Sequence, residues 1–283
     1  MPQRQLVAST LISLVILTSA CSTSESNSLK EPSPEQVTVT DTTTKPTATP
    51  SPASTIAQPD STPTSAQAEE AKVKYKMNSS YRFEPVTADA PDQMVLLTFD
   101  DGPKDTEVLT RILDILDQHQ AKAIFFVNGY RVKQKPELLE LIADRAQTIG
   151  NHSWDHVDLK KESEASVRKQ LEDVQVQVKS IAGLTPKFFR PPFGSGSDTV
   201  KTAAADEGML YMTWSNGSLD WDAAAKNKPD VVIANVMEQL HPGANILMHE
   251  LAWTADALDT LLTKLEKAGY GFIDPATIDL KQP

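Results

Sequence analysis

From residue 94 onward, apolar residues recur with two different periods. Between 105 and 118, Leu109, Ile112, Leu113 and Leu116 share one helical face; Val167, Leu171, Val174, Val178 and Ile181 repeat that spacing, as do Leu258, Leu261, Leu262 and Leu265. Between these helices lie short apolar runs: 95–97 with Phe99, 123–127, 188–189, 210–213, 246–248 and 271–273. Runs this short and uniformly apolar predict strands covered on both faces, and their alternation with helices predicts an α/β fold, a parallel sheet wrapped by helices. About seven such strands in about two hundred residues suit one closed barrel better than two domains, and in such barrels the site lies at the C-terminal ends of the strands.

The first 71 residues break this pattern. Residues 1–20 combine Arg4, an apolar stretch over 11–17 and the small residues Ser19 and Ala20, which predicts a signal peptide for export; the stretch is too short to predict a membrane span. Cys21 follows at once, and the segment resembles a bacterial lipoprotein signal, in which that cysteine carries the lipid. It departs from that pattern at Thr18, where an aliphatic residue is usual, and the alternative is a plain secretory signal with an incidental Cys21. Residues 21–71 are rich in Ser, Thr and Pro and hold no aromatic residue, which predicts a disordered tether. A lead-in segment, 72–93, then precedes one folded domain, 94–280.

Charge and cysteine content narrow the chemistry. With 27 Lys and Arg against 38 Asp and Glu in 283 residues, the net charge is -11, which leaves no basic footprint for nucleic acid. The single cysteine excludes an internal disulfide framework and a cysteine-based zinc site.

The run Leu96-Leu97-Thr98-Phe99-Asp100-Asp101-Gly102-Pro103 predicts a buried strand that delivers two acids to a turn. Adjacent side chains on an extended backbone point to opposite sides, so one aspartate would bind a metal while the other moves a proton; the plain alternative is an exposed turn. His152 and His156, two of the five histidines, face one metal if their segment turns helically. With an aspartate they supply two imidazoles and a carboxylate, leaving open positions that suit a catalytic metal. Arg190, between Phe189 and Pro191-Pro192, offers a guanidinium that would fix the orientation of a carboxylate such as Asp100 and stabilise its charge. His249 follows the run 246–248, so it should emerge at the same face, where a positioned acid protonates a leaving group. Tyr130, after Asn128-Gly129 at another strand end, would reach the same groove.

Thr98-Phe99-Asp100-Asp101-Gly102, His152-Ser153-Trp154-Asp155-His156, Arg190-Pro191-Pro192-Phe193, Asp220-Trp221 and Leu247-Met248-His249, in this order, resemble the five motifs of the NodB-homology polysaccharide deacetylases, carbohydrate esterase family 4. The resemblance implies a distorted (β/α) barrel and a hydrolase that removes acetyl groups from N-acetylated sugars of a cell-wall polysaccharide, with peptidoglycan first and chitin-like glycan next. It implies one divalent metal ion, usually zinc, with cobalt, nickel or iron as alternatives, held by Asp101, His152 and His156. By the same carry-over Asp100 is the general base, Arg190 orients it, His249 is the general acid and Asp220 supports His249. Trp221 would line the groove, Leu247 would belong to the acetyl pocket, and a backbone N–H at Phe193 or a neighbour would hold the oxyanion. Joined to the export signal, this places the enzyme outside the cytoplasmic membrane, anchored to it by lipid on Cys21.

One departure stands out: many members carry an aspartate three residues before the Asp-Trp pair, and here that position is Gly217. Among the tryptophans inside motifs, Trp154, Trp214 and Trp221 are candidates for stacking on sugar, although Trp214 closes an apolar run and suits the core. His119 and His241 are expected at the surface or at helix ends. Two other functions compete. An inactive glycan-binding relative would not need Asp100, Arg190 and His249, and a two-His-one-carboxylate iron oxygenase would have no use for them either.

Overall fold

A computed structural model describes residues 72–283; the signal segment, Cys21 and the Ser/Thr/Pro-rich stretch lie outside the described residues. The lead-in forms an antiparallel hairpin of β1 (Tyr75–Met77) and β2 (Phe83–Pro85). After it come β3 (Met94–Gly102), α1 (Thr106–Gln118), β4 (Ala123–Val127), α2 (Gly129–Gln134), α3 (Pro136–Asp144), β5 (Thr148–Asn151), α4 (Glu164–Ala182) and β6 (Phe188–Phe189). The chain continues through α5 (Asp198–Asp206), β7 (Leu210–Tyr211), β8 (Asn216–Gly217), α6 (Pro229–Glu238), β9 (Ala244–His249), α7 (Ala252–Lys267) and β10 (Gly271–Phe272).

The three long apolar faces read from the sequence lie in α1, α4 and α7, and all their residues are buried except Ile181, which is half-buried. Local signals set the helix ends: Asp105 accepts the Val108 N–H, Ser163 accepts the Ser166 N–H, and Gly183 ends α4 in the left-handed region at φ 69°.

Seven strands run parallel in the order β7-β6-β5-β4-β3-β9-β8, and β10 pairs with the first residues of β3. The sheet is the distorted barrel that the resemblance implies, a curled half-barrel rather than the closed one that strand count suggests, because the edge strands β7 and β8 each pair with one neighbour only. They are joined by residues 212–215, and within this link the Thr213 carbonyl is satisfied by Arg190 Nη2 at 2.8 Å and Asn245 Nδ2 at 3.0 Å. Side chains therefore fill the seam where strand pairing would have closed the barrel.

Alternation along β3 separates two cores. Val95, Leu97 and Phe99 join the helices outside, whereas Leu96 packs inside with Ile124, Phe126, Phe188, Leu210 and Met212. Tyr75, Met77 and Phe83 of the hairpin belong to the inner cluster, and the Phe83 N–H bonds the carbonyl of Gly243, just before β9. The hairpin thus stoppers the half-barrel at the N-terminal ends of its strands. The inward row of β3 runs Leu96, Thr98, Asp100, from apolar at the stoppered end to ionisable at the open one.

Candidate metal centre and active site

Asp100 and Asp101 stand at the open end of β3, and both line one cavity of about 380 Å³, contrary to the expectation that they point to opposite sides. The cause is a β-bulge. Asp100 pairs with Phe126 and Gly102 with Val127, so two steps on β3 face one on β4, and Asp101 takes φ 65° in the left-handed region. A bulge re-aims one side chain, and aspartate is among the few residues other than glycine that tolerate this φ.

His152 and His156 reach the same cavity, but not on a helical turn. Their segment is an irregular loop with Ser153 and His156 at φ 65° and 57°, which brings the two rings edge to face, 5.1 Å between centroids. Asp101 Oδ1 lies 3.3 Å from His152 Nε2 and 2.9 Å from His156 Nε2. His152 Nδ1 lies 2.7 Å from the Arg190 carbonyl, and a ring nitrogen facing a carbonyl must be the donor. His152 Nε2 then presents a lone pair toward Asp101 Oδ1, a buried oxygen with no hydrogen-bond partner of its own. Groups that converge in this way suit a cation, and two imidazoles with one carboxylate are a donor set for a divalent transition metal.

Arg190 is fully buried and joins three strands. Its Nη1 donates to Asp100 Oδ1 at 2.7 Å and to Thr98 Oγ1 at 2.8 Å, its Nη2 donates to Asn245 Oδ1 at 3.1 Å, and its plane lies 4.4 Å from the Phe126 ring centroid. Across the cavity, Asp220 accepts from the His249 backbone N–H and faces His249 Nδ1, each at 2.7 Å, and it also accepts from Thr254 Oγ1. Burial would depress the pKa of His249, but the Asp220 carboxylate, supported by the charges of Asp100 and Asp101, holds it above the ordinary value.

Phe193, Trp221 and Leu247 line the cavity, Phe193 and Trp221 being 67% and 46% exposed and so open to a ligand. Phe193 packs edge-on to His156, and Trp221 edge-on to His249. Trp214 also lines the cavity, against its expected place in the core, because residues 212–215 turn it toward Trp221 and Gly194. Tyr130 and Trp154 are not among the lining residues: Arg131 stacks on the Tyr130 ring, and the Trp154 ring fills the space over Gly129. Sequence reasoning gave no role to Thr98, Asn245, Thr254 or Glu250. The signal for Thr98 and Asn245 was a polar residue at an inward position of an apolar strand, which must find a partner inside.

The chain matches the polysaccharide deacetylase family over residues 87–212. It is 35% identical over 184 residues to a peptidoglycan-N-acetylglucosamine deacetylase of Bacillus cereus, covering 63% of this chain and 66% of that one. With the peptidoglycan-N-acetylmuramic acid deacetylase PdaA of Bacillus subtilis it shares 32% over 183 residues, 64% of this chain and 69% of that one. Among solved structures, BA3943, a pseudoenzyme of carbohydrate esterase family 4 from Bacillus anthracis, superposes with a TM-score of 0.62 at 36% identity, covering 68% of this chain and 67% of that one. A mutant of BA3943 is described as having restored enzymatic activity. This chain spans 58%, 66% and 42% of the lengths of the first three curated relatives. On its motifs, its half-barrel and these matches together, the chain belongs to the polysaccharide deacetylase family.

Proposed function

We propose that this chain is a metal-dependent hydrolase that removes acetyl groups from the N-acetylated sugars of a cell-wall polysaccharide, peptidoglycan first, and releases acetate. One observation carries the reading: a single cavity holds the acceptor cluster Asp101, His152 and His156, with Asp100 braced by Arg190 on one side and His249 braced by Asp220 on the other. Asp101, His152 and His156 would hold a divalent ion, zinc before cobalt, nickel or iron. Such an ion supplies Lewis-acid polarisation of an acetamide carbonyl and a water of lowered pKa. Asp100, fixed by Arg190, accepts the proton of the attacking water, and His249 delivers a proton to the departing nitrogen, which leaves poorly as an anion. Leu247 offers apolar surface for the acetyl methyl, and Phe193 and Trp221 offer exposed faces for sugar rings.

Gly217 does not remove the support of His249, since Asp220 already engages both its backbone and its ring. A Cβ at Gly217 would meet Trp214, Leu219 and Trp221 at ordinary van der Waals distance, 3.6–3.7 Å, beside two tryptophans that line the cavity. The likeness to BA3943 favours a second reading, a glycan-binding protein without hydrolysis. The test is acetate release by the full chain from peptidoglycan and from chitin oligomers, after chelation and after added zinc, beside Asp100→Asn. Zinc-dependent release that the variant loses supports the hydrolase; folded, zinc-loaded protein that releases none from either polymer supports the second reading.

For the cell, we propose export by residues 1–20 and anchoring by lipid on Cys21 at the outer face of the membrane, close to a wall substrate. Radiolabelled fatty acid should enter the wild type and not Cys21→Ala, and equal label in both would remove the anchor.

A further inference from the structure

We propose that Glu250 is a positioning residue for the metal-binding turn: its carboxyl group locks the turn from Asp101 to Lys104 onto the end of β9 and so fixes where the Asp101 carboxylate sits. The inference rests on the metal reading given above. Glu250 follows His249 directly and is only 3% exposed. Its Oε2 accepts the Lys104 N–H at 2.9 Å, while Oε1 occupies the space that Gly102 leaves open, where any Cβ would overlap it. Lys104 in turn reaches back to Asp101, with Nζ 3.5 Å from Oδ2. Asp101 is therefore held through its main chain by Glu250 and through its second oxygen by Lys104, which leaves Oδ1 toward the two histidines.

This is a costly place for a carboxyl group. Oε1 is buried without a hydrogen-bond partner, and burial pushes the pKa of Glu250 up to about 7. A residue that served packing alone would do better as a hydrocarbon. What the site gains is a fixed turn: aspartate tolerates the left-handed region, and packing against Glu250 leaves the turn one arrangement in which to hold it. A single pair of neighbours, His249 and Glu250, then sets both the group that gives a proton and the turn that carries a metal ligand.

The test is zinc affinity of the full chain by competition with a chromophoric chelator, with circular dichroism to confirm the fold. Glu250→Ala should weaken zinc binding about tenfold to a hundredfold, and Glu250→Gln, which keeps an acceptor for the Lys104 N–H, should stay within about threefold of wild type. Gly102→Ala should weaken binding as Glu250→Ala does, yet add little in the Glu250→Ala background, where its methyl group has room. Folded Glu250→Ala with wild-type affinity, or fully additive losses in the double variant, would overturn the role. If Glu250→Ala does not fold, Gly102→Ala and Glu250→Gln answer instead: a weak first and a normal second support the role, and a wild-type first overturns it. Wild-type protein that binds no zinc overturns the metal reading and this inference together, whereas zinc-binding wild type with unaffected variants overturns only the latter.

Discussion

Two carboxylate–cation pairs flank the cavity, and they differ in what the cation is able to do. Asp100 meets Arg190 at 2.7 Å, and Asp220 meets His249 at the same distance. Burial lowers the pKa of Arg190 and Asp100 works against it, but arginine starts from so high a value that it keeps its proton. Asp100 therefore faces a permanent cation and can only receive a proton from elsewhere. Histidine titrates near neutral pH, and His249, held above its ordinary value, is a cation that can give its proton away and regain it. Equal contact distances hide opposite directions of proton flow, and amide hydrolysis needs one of each.

The comparison breaks first at Asp100. Asp100→Asn should lower acetate release by about a hundredfold to ten-thousandfold while zinc still binds, measured as kcat on peptidoglycan beside a chelator titration. If release persists, Asp100 is not the proton acceptor. The largest loss of stability should come from Arg190→Met, which leaves the Asp100 carboxylate buried without its partner. Breaking such a pair costs about 3–5 kcal/mol, read as the shift in urea midpoint. A shift near zero would mean that Thr98, Asn245 and Thr213 do not depend on the guanidinium to fill the seam of the half-barrel.

How much of this the sequence could tell follows from which features are periodic. The helical faces of α1, α4 and α7 and the strand β4 repeat or run long enough to be read directly, and the five motifs named the groups around the cavity. What stayed hidden are effects of single dihedral angles and of strands too short to have a pattern. Asp101 reaches the cavity because of one left-handed residue at a bulge, which alternation along a strand does not foresee. β8 is only Asn216–Gly217, and no run of apolar residues announces it. The open seam depends on one arginine meeting residues far apart in the chain, a tertiary fact that strand count alone does not contain.

Smaller effects sharpen the difference between the two pairs. Asp220→Asn removes the carboxylate that raises the pKa of His249 and leaves the burial that lowers it. In the proposed reaction His249 acts in its protonated form, so kcat/KM should fall as pH rises through its pKa, and this alkaline limb should move to lower pH in the variant. An unmoved limb would assign the acid to another group. Trp221→Ala should raise KM by about twofold to tenfold with a smaller change in kcat, as expected for the loss of one stacking face worth about 0.5–1.5 kcal/mol. A fall in kcat alone would mean that Trp221 positions His249 through their edge-on contact instead.

The smallest effect provides the control. His119 closes α1 with Nδ1 3.0 Å from Glu266 and Nε2 3.1 Å from Asp259 on α7, so it repeats the histidine–carboxylate chemistry of His249 far from the cavity. Burial opposes its charge, but the two carboxylates prevail and raise its pKa. A histidine whose pKa is raised on folding adds stability that is fully present below its unfolded value of about 6.5 and fades as pH rises through the folded one. Both carboxylates are about half exposed, at 54% and 43% of their side-chain surface, so solvent screens the contact to about 0.5 kcal/mol. His119→Gln should therefore lower the melting temperature by about 1–2 °C at pH 5.5, have no effect at pH 8.5, and leave the pH profile of acetate release unchanged. If that profile moved, the alkaline limb would report the stability of the α1–α7 contact rather than a proton held at His249, and the division of labour between the two pairs would lose its main support.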